Sequence, residues 1–247
     1  MARARQPGVR ESGRCDGRMT TRIVLRESGQ AAPPRPLLRG QSHGLAAVGA
    51  LAALVLLLQV EDLAAPQRLS LLVYGLGAVL LFAVSALYHM GPWPPRPRAL
   101  LRRCDHALIC VMLAAGYTPL AATLPNPVWR GGLLAGVWAV TGGGVVLVVF
   151  TPLSRTARVT LYRTLAALAL LASVPALARL GLTGLPLPVL AGVLCLGGTL
   201  VYTRRWPALW PRVFGYHELF HLAVIAAHVV FFLFVVQDIV PLLRRQM

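Results

Sequence analysis

The stretch that decides the fold is Tyr216-His-Glu-Leu-Phe-His-Leu-Ala-Val-Ile-Ala-Ala-His-Val-Val-Phe-Phe-Leu-Phe-Val-Val236. It contains one acidic residue and no arginine, and as a helix it is long enough to cross the hydrocarbon core of a bilayer. His217 and His221 stand four residues apart at its start, so both imidazoles lie on one helix face and can hold a single metal ion. The stretch therefore predicts a transmembrane helix with a metal site at one end.

The same residues also spell His-Glu-x-x-His, which in a soluble enzyme suggests a zinc protease with Glu218 as its base. A protease of this kind needs a third metal ligand from a later position in the chain. Only Asp238 follows, and it falls at the far end of the same helix. We therefore favour a metal site completed by other helices.

The rest of the chain repeats this apolar pattern. Hydrophobic residues make up 57% of the sequence, and they are gathered in long runs separated by Pro- and Gly-rich connections, which is typical of a polytopic membrane protein. The predicted spans are residues 44–60, 69–90, 105–124, 131–150, 159–178, 186–202 and 214–237. The sequence thus predicts an all-α fold of seven transmembrane helices, as a multi-pass protein of the cell (inner) membrane.

Residues 1–43 differ sharply in composition from the apolar runs. They are rich in Arg, Gly, Pro and Ser, have no hydrophobic period, and cannot bury enough surface to offset the entropy of an ordered chain. The domain prediction is therefore a disordered, Arg-rich tail over residues 1–43 and one seven-helix transmembrane domain over residues 44–247. The first apolar run begins too late for a cleaved secretory signal, so the first helix is expected to stay in the mature protein.

The net charge of +16 comes from arginine, because the chain has no lysine. We interpret this as coding bias rather than nucleic-acid binding. Ten arginines fall in alternate loops, namely Arg96, Arg98, Arg102, Arg103, Arg155, Arg158, Arg163, Arg204, Arg205 and Arg212. The opposite loops and the C-terminus hold five, namely Arg68, Arg130, Arg179, Arg244 and Arg245. By the positive-inside rule the richer side is cytoplasmic, which predicts the N-terminus in the cytoplasm and the C-terminus outside.

This topology gathers polar residues in one layer at the inner membrane boundary. His89 closes the second predicted helix, Asp105 opens the third, and the histidine pair opens the seventh. Ser85 lies one turn from His89 on the same face, where its hydroxyl can reach a ligand or a bound water. Asp105 could instead form a plain ion pair with Arg102 or Arg103. Ionisable groups at membrane depth are costly, so the cluster as a whole predicts a functional site.

The other histidines near this layer are not expected to bind the metal. His228 faces the same way as the histidine pair but about 10 Å deeper, and is interpreted as a buried hydrogen-bonding or supporting residue. His106 points about 100° away from the carboxylate beside it, and His43 belongs to the predicted tail. Cys104, next to the site, is a further ligand candidate. The four cysteines lack a Cys-x-x-Cys spacing and are expected to be free thiols, namely Cys15, Cys104, Cys110 and Cys195.

Three blocks of the sequence carry a family resemblance. They are Leu81-Phe-Ala-Val-Ser-Ala-Leu-Tyr-His89, Asp105-His-Ala-Leu-Ile-Cys-Val-Met-Leu-Ala-Ala-Gly-Tyr-Thr-Pro119 and Gly215-Tyr-His-Glu-Leu-Phe-His-Leu-Ala-Val-Ile-Ala-Ala-His228. They resemble the signature blocks of the haemolysin III family, the bacterial branch of the superfamily that contains the progestin and adiponectin receptors. The resemblance covers all seven predicted helices and implies a zinc ion held by His89, His217 and His221. It also implies that Asp105 holds a zinc-bound water, with support from Ser85.

Three neutral imidazoles leave one tetrahedral position for water, which is the arrangement of a catalytic zinc rather than a closed structural one. Zinc lowers the pKa of that water to about 7 and polarises a carbonyl, and Asp105 could accept the proton and pass it to a leaving group. A site near the inner leaflet is accessible to membrane lipids. The predicted activity is therefore hydrolysis of a lipid amide or ester, as in the ceramidases that related receptors resemble.

The alternatives are a channel or cytolysin, as the family name suggests, and a membrane sensor with structural zinc. A secreted pore former would not keep seven apolar helices, whereas ligand count alone does not separate a sensor from an enzyme. The expected partners are membrane lipids and a lipid or amphiphile substrate, with no nucleic acid. Nothing in the sequence sets an oligomeric state.

Overall fold

The computed structural model describes residues 40–207, 210 and 214–246, and within these ranges the chain is helical and contains no β-strand. Seven helices in the described part of the chain are long and apolar enough to cross a membrane. They are α1 (Gln41–Leu58), α2 (Ala65–Met90), α3 (Pro95–Ala122), α4 (Pro127–Phe150), α5 (Arg155–Leu177), α6 (Pro186–Arg204) and α7 (Tyr216–Phe234). A π-helical turn (Val235–Ile239) continues α7 into the short α8 (Val240–Arg244). The predicted all-α fold with seven spans is confirmed.

Local sequence sets where several helices begin. Pro95, Pro127 and Pro186 are each the first residue of a helix, a position where the missing N–H costs nothing and the fixed φ suits the first turn. Asn126 caps α4 by accepting hydrogen bonds from two backbone N–H groups at 2.9 and 3.2 Å. Ser154 caps α5 in the same way at 3.1 Å. These prolines and capping side chains fix the positions where the loops end and the helices begin.

Five helices, α1 to α5, begin earlier than the sequence predicts, and two of these shifts change the place of a candidate site residue. α3 starts at Pro95 rather than 105, so Asp105 lies well inside the helix instead of opening it. Hydropathy reports only the apolar part of a helix, whereas Arg, Leu and Ala are strong helix formers that extend α3 through the arginine-rich segment before it. α1 starts at Gln41, which puts His43 in a helix and not in the predicted tail. The rest of that tail, residues 1–39, lies outside the described residues.

Small residues let the helices approach closely at their crossings. A Cβ added at Gly77 of α2 would stand 2.8 Å from the Cβ of Ala115 in α3, and one added at Gly198 of α6 would stand 2.8 Å from the Cβ of Ala223 in α7. Such contacts are how membrane helices gain packing energy without a hydrophobic driving force. α2 and α3 have the largest buried share of the seven spans, and both contribute residues to the site described below.

Antiparallel packing puts the end of α2 and the start of α7 at one end of the bundle. The other end holds a group of polar residues that we call the distal layer: Gln67, Ser70, Thr123, Arg179 and Gln246. Gln67 of α2 donates to the Leu243 carbonyl of α8 at 2.9 Å. The Thr123 carbonyl accepts hydrogen bonds from both Arg179 and Gln246. The distal layer thus ties α2, α3, α5 and α8 together through the backbone.

Candidate metal centre

Three imidazoles converge at the end of the bundle opposite the distal layer. His89, His217 and His221 each offer one nitrogen, and these nitrogens all lie within 4.8 Å of one another. Tetrahedral zinc with bonds of about 2.0–2.1 Å would hold its ligand nitrogens roughly 3.3 Å apart, so the rings need to close by at most about 1.5 Å. With Ser85 and Asp105 they form what we call the histidine layer.

The tilt of the rings is as informative as their distance. The ring of His89 is inclined by 69° to that of His217 and by 64° to that of His221, and the two rings of α7 are inclined by 58° to each other. The centroids are 4.5–5.0 Å apart. An imidazole lone pair lies in the plane of its ring, so three mutually inclined planes can meet at one point. The arrangement fits a single metal ion held by three nitrogens.

Local structure explains why the three rings meet. His217 and His221 occupy the first two turns of α7, one turn apart on the same face. His89 lies in the last turn of α2, which stops at Gly91. The Trp93 indole donates to the Leu87 carbonyl at 2.7 Å, and the same carbonyl accepts from the Gly91 backbone N–H at 3.4 Å. The end of α2 lies beside the start of α7, where the ring of His89 is 5.0 Å from the rings of His217 and His221.

Ser85 and Asp105 form a buried pair next to the histidines. The Ser85 hydroxyl lies next to the Asp105 carboxylate, and the two residues are 2% and 8% exposed. Among the described residues no arginine is in ion-pair contact with Asp105, so the alternative of a plain pair with Arg102 or Arg103 is not what the structure has. Asp105 also lies outside the group of metal-binding atoms within 4.8 Å. A carboxylate in this place can act on a bound molecule rather than on the ion.

Glu218, the acid of the His-Glu-x-x-His pattern, has a structural contact at the start of α7. Its carboxylate accepts a hydrogen bond from the Gly215 backbone N–H at 2.9 Å. A glutamate at the third helical position that reaches back to the N-cap satisfies a backbone donor and favours the positive end of the helix dipole. Glu218 is 2% exposed. The structure gives it a capping contact of the kind that many non-catalytic helices have.

The remaining candidates lie where they serve other purposes. The His228 Nδ1–H donates to the Val224 carbonyl at 2.9 Å, in agreement with its interpretation as a hydrogen-bonding residue. His106 makes no ring contact with the three histidines, and its backbone carbonyl accepts from the Tyr162 hydroxyl of α5 at 3.3 Å. Cys104 is outside the metal-binding group. Cys104, Cys110 and Cys195 are free thiols, whereas Cys15 lies outside the described residues.

One histidine was placed wrongly by the sequence. His43 lies in the first turn of α1, is 4% exposed, and stacks on His221 with ring centroids 3.9 Å apart. The sequence-based boundary excluded it because the polar residues before it lowered the local hydropathy, although helix α1 continues through them. A His-Gly pair at the start of an apolar run was the only available signal. The correction brings a fourth imidazole to the histidine layer.

An arginine and a tyrosine flank the site, and sequence analysis did not identify their pairing. The Tyr202 ring of α6 lies 5.6 Å from the ring of His217. The Arg155 guanidinium lies 3.9 Å over the Tyr202 ring and donates to the Tyr202 carbonyl. This cation–π contact joins the start of α5 to the end of α6. It borders the histidine layer on the side of His217.

Comparisons with known proteins agree with this architecture. A family model described as "Haemolysin-III related" matches residues 32–232, which include every residue of the histidine layer. The Hemolysin-3 of Bacillus cereus is 28% identical over 205 residues, covering 81% of this chain and 90% of that protein. The Hemolysin-3 homolog of Bacillus subtilis (strain 168) is 26% identical over 194 residues, covering 77% and 88%. With seven membrane-length helices and a family match over most of its length, this chain belongs to the haemolysin III family of multi-pass membrane proteins.

Proposed function

We propose that this protein is a zinc-dependent hydrolase that cleaves a lipid amide or ester near the inner leaflet. The observation that supports it most is the grouping of His89, His217 and His221, whose rings are mutually inclined and whose nitrogens lie within 4.8 Å of one another. Three nitrogen donors suit zinc, and three protein ligands are the number found in catalytic zinc sites.

A zinc ion in this donor set would leave one coordination position for water, lower the pKa of that water to about 7 and polarise a carbonyl. Asp105 would take the proton of the attacking water and return it to the leaving amine or alcohol. The Ser85 hydroxyl, which lies next to this carboxylate, would hold it in the orientation that faces the reacting atoms. Acid and base catalysis would thus come from α3 and orientation from α2.

The location of the site limits the class of substrate. The histidine layer lies at the end of apolar helices whose outer faces carry exposed leucines and valines, so molecules that reach it laterally come from the bilayer. An amphiphile can place its amide or ester at the depth of the histidines while its chains stay in the hydrocarbon region. A lipid with an acyl linkage near its head group fits this requirement.

The test compares the two acids of the site. Asp105→Asn should keep zinc but lower hydrolysis by at least about 100-fold, because an amide cannot accept the proton. Glu218→Gln should keep activity, because the amide oxygen still accepts the Gly215 N–H. The protein is purified in detergent, its zinc measured, and extracted bacterial lipids are followed by mass spectrometry during incubation.

Other outcomes point to other functions. Loss of activity in Glu218→Gln with normal activity in Asp105→Asn would contradict the assignment of the base and favour the protease interpretation. If the histidine variants change the cellular phenotype but neither acid variant does, the metal is structural in a sensor or channel. The second candidate, a channel or cytolysin, has the names of the two Bacillus relatives in its favour. Zinc-independent release of dye from vesicles that contain the purified protein would support it.

A further inference from the structure

His43 is the one member of the imidazole group that sequence analysis excluded, and its geometry differs from that of the other three. Its ring lies nearly parallel to that of His221, with an interplanar angle of 16° and centroids 3.9 Å apart. Its edge meets the Phe82 ring at a centroid distance of 5.3 Å. The side chain is 4% exposed, so both contacts are made inside the bundle.

The start of α1 lies close against the end of α2 at Gly40. Gly40 precedes the helix with φ of +96°, and a Cβ there would stand 2.9 Å from the Cβ of His89 and 2.9 Å from the Cγ of Met90. A Cβ added at Gly44 would make only an ordinary contact with the Met90 sulphur, at 3.8 Å, so Gly40 is the position where the approach is tight. Because glycine alone allows this approach without strain, α1 comes close enough to place His43 on His221.

A parallel stack excludes His43 from the metal ligands. Two imidazoles share one ion only when their in-plane lone pairs meet, and planes that are nearly parallel do not meet at bonding distance. By contrast, the rings of His89, His217 and His221 are inclined by 58–69° to one another. The angles therefore divide the four histidines into three that can bind an ion and one that supports them.

The contact of His43 with the site is made by its ring face and not by its nitrogens. Neither ring nitrogen has a hydrogen-bond partner among the described residues. The His221 backbone lies close to the ring without reaching hydrogen-bonding geometry. What His43 supplies is thus a flat surface, held between Phe82 and His221, that limits how far the His221 ring can tilt.

We propose that His43 is a positioning residue that holds the plane of His221 in the orientation needed for metal binding. The proposal rests on the zinc site proposed above. It assigns to α1 a role at a centre whose ligands come from α2 and α7. A ligand ring that is free to rotate loses entropy when it binds an ion, so packing its face in advance raises the affinity for the metal.

The experiment measures zinc affinity in purified protein by competition with a fluorescent chelator. His43→Ala should bind zinc about 10–100-fold more weakly, the range found when groups that orient metal ligands are removed. His43→Phe should recover most of this loss, because a benzene ring keeps the stacked face. The control is His228→Ala, which removes an imidazole that also touches Phe82, at 5.0 Å, and should leave affinity unchanged.

A second readout uses cobalt in place of zinc. The visible spectrum of bound Co²⁺ should shift or broaden in His43→Ala and return towards that of the unchanged protein in His43→Phe. Wild-type affinity and spectrum in His43→Ala would overturn the proposal. So would a His43→Phe variant as weak as His43→Ala, because the nitrogens and not the ring face would then be what matters. If the unchanged protein binds no zinc, the proposed function fails first, and size-exclusion profiles identify any variant that has failed to fold.

Discussion

At one end of the bundle, the distal layer, polar side chains donate hydrogen bonds to backbone carbonyls, whereas in the histidine layer polar side chains face one another. Gln67 donates to the Leu243 carbonyl at 2.9 Å, and Arg179 donates to the Thr123 carbonyl. The imidazoles at the other end meet at centroid distances of 4.5–5.0 Å. Both layers are made of polar groups at the ends of apolar helices. The distal layer pairs side chains with backbone carbonyls, whereas the histidine layer pairs side chains with one another.

The difference separates a layer that is structural from a layer that could bind a metal ion. Donors of the distal layer are matched by carbonyl acceptors, which stabilises the ends of α3 and α8 without any added molecule. The histidine layer instead brings three imidazole nitrogens within 4.8 Å of one another, an arrangement that could hold a metal ion. We expect changes in the two layers to have separable effects on folding and on metal content.

The largest expected effect is all-or-none and concerns which side of the membrane each layer faces. A reporter that works only in the cytoplasm should be active when it is inserted after Gly91, in the connection next to the histidine layer. A reporter that works only outside the cytoplasm should be active when it is fused after Met247. Paired fusions of alkaline phosphatase and green fluorescent protein measure this. Activity of both insertion sites on the same side would contradict the topology and remove the reason for assigning the site to the inner leaflet.

The next effect is the loss of metal from the histidine layer. His89→Ala, His217→Ala and His221→Ala should each weaken zinc binding by more than about 100-fold, because each removes a proposed direct ligand. Thermal stability in detergent should fall with the metal, since binding contributes to folding. His106→Ala is the matched control, because its ring makes no contact with the three histidines. Full zinc occupancy in His89→Ala would remove α2 from the site.

The smallest effect is expected in the distal layer, where a substitution should lower the free energy of unfolding and leave the metal content unchanged. Gln67→Leu removes a donor to the Leu243 carbonyl and an acceptor for the Ala64 N–H, at 2.9 and 2.8 Å. It should lower the free energy of unfolding by roughly 1–3 kcal/mol. Gln59→Leu, at an exposed position after α1, should change it by less than about 0.5 kcal/mol.

Thermal denaturation and zinc analysis of the two glutamine variants measure both quantities. A fall in zinc content for Gln67→Leu, at temperatures where the protein stays folded, would show that the two ends are coupled. The separation between a structural and a binding layer would then be wrong.

Much of the architecture follows from local sequence. The seven spans are predicted because a membrane helix needs a long apolar run, and such runs are visible without knowledge of the partners. The pairing of His217 with His221 is equally local, since a spacing of four residues fixes one face of one helix. The alternation of spans also predicts that His89 and Asp105 lie at the same end of the bundle as this pair. The sequence could therefore determine which residues share a depth.

Which residues touch, and with what orientation, was decided by tertiary structure. His43 reaches His221 only because α1 packs on α2 through Gly40, and hydropathy does not register a close approach between helices. Gln67 bonds to a carbonyl 176 residues away in the chain, a pairing that no local pattern contains. Ring angles depend on the packing of several helices at once. Sequence thus determined the spans and the depth of the polar residues, whereas tertiary packing decided which imidazoles point at a common centre and which one lies flat against them.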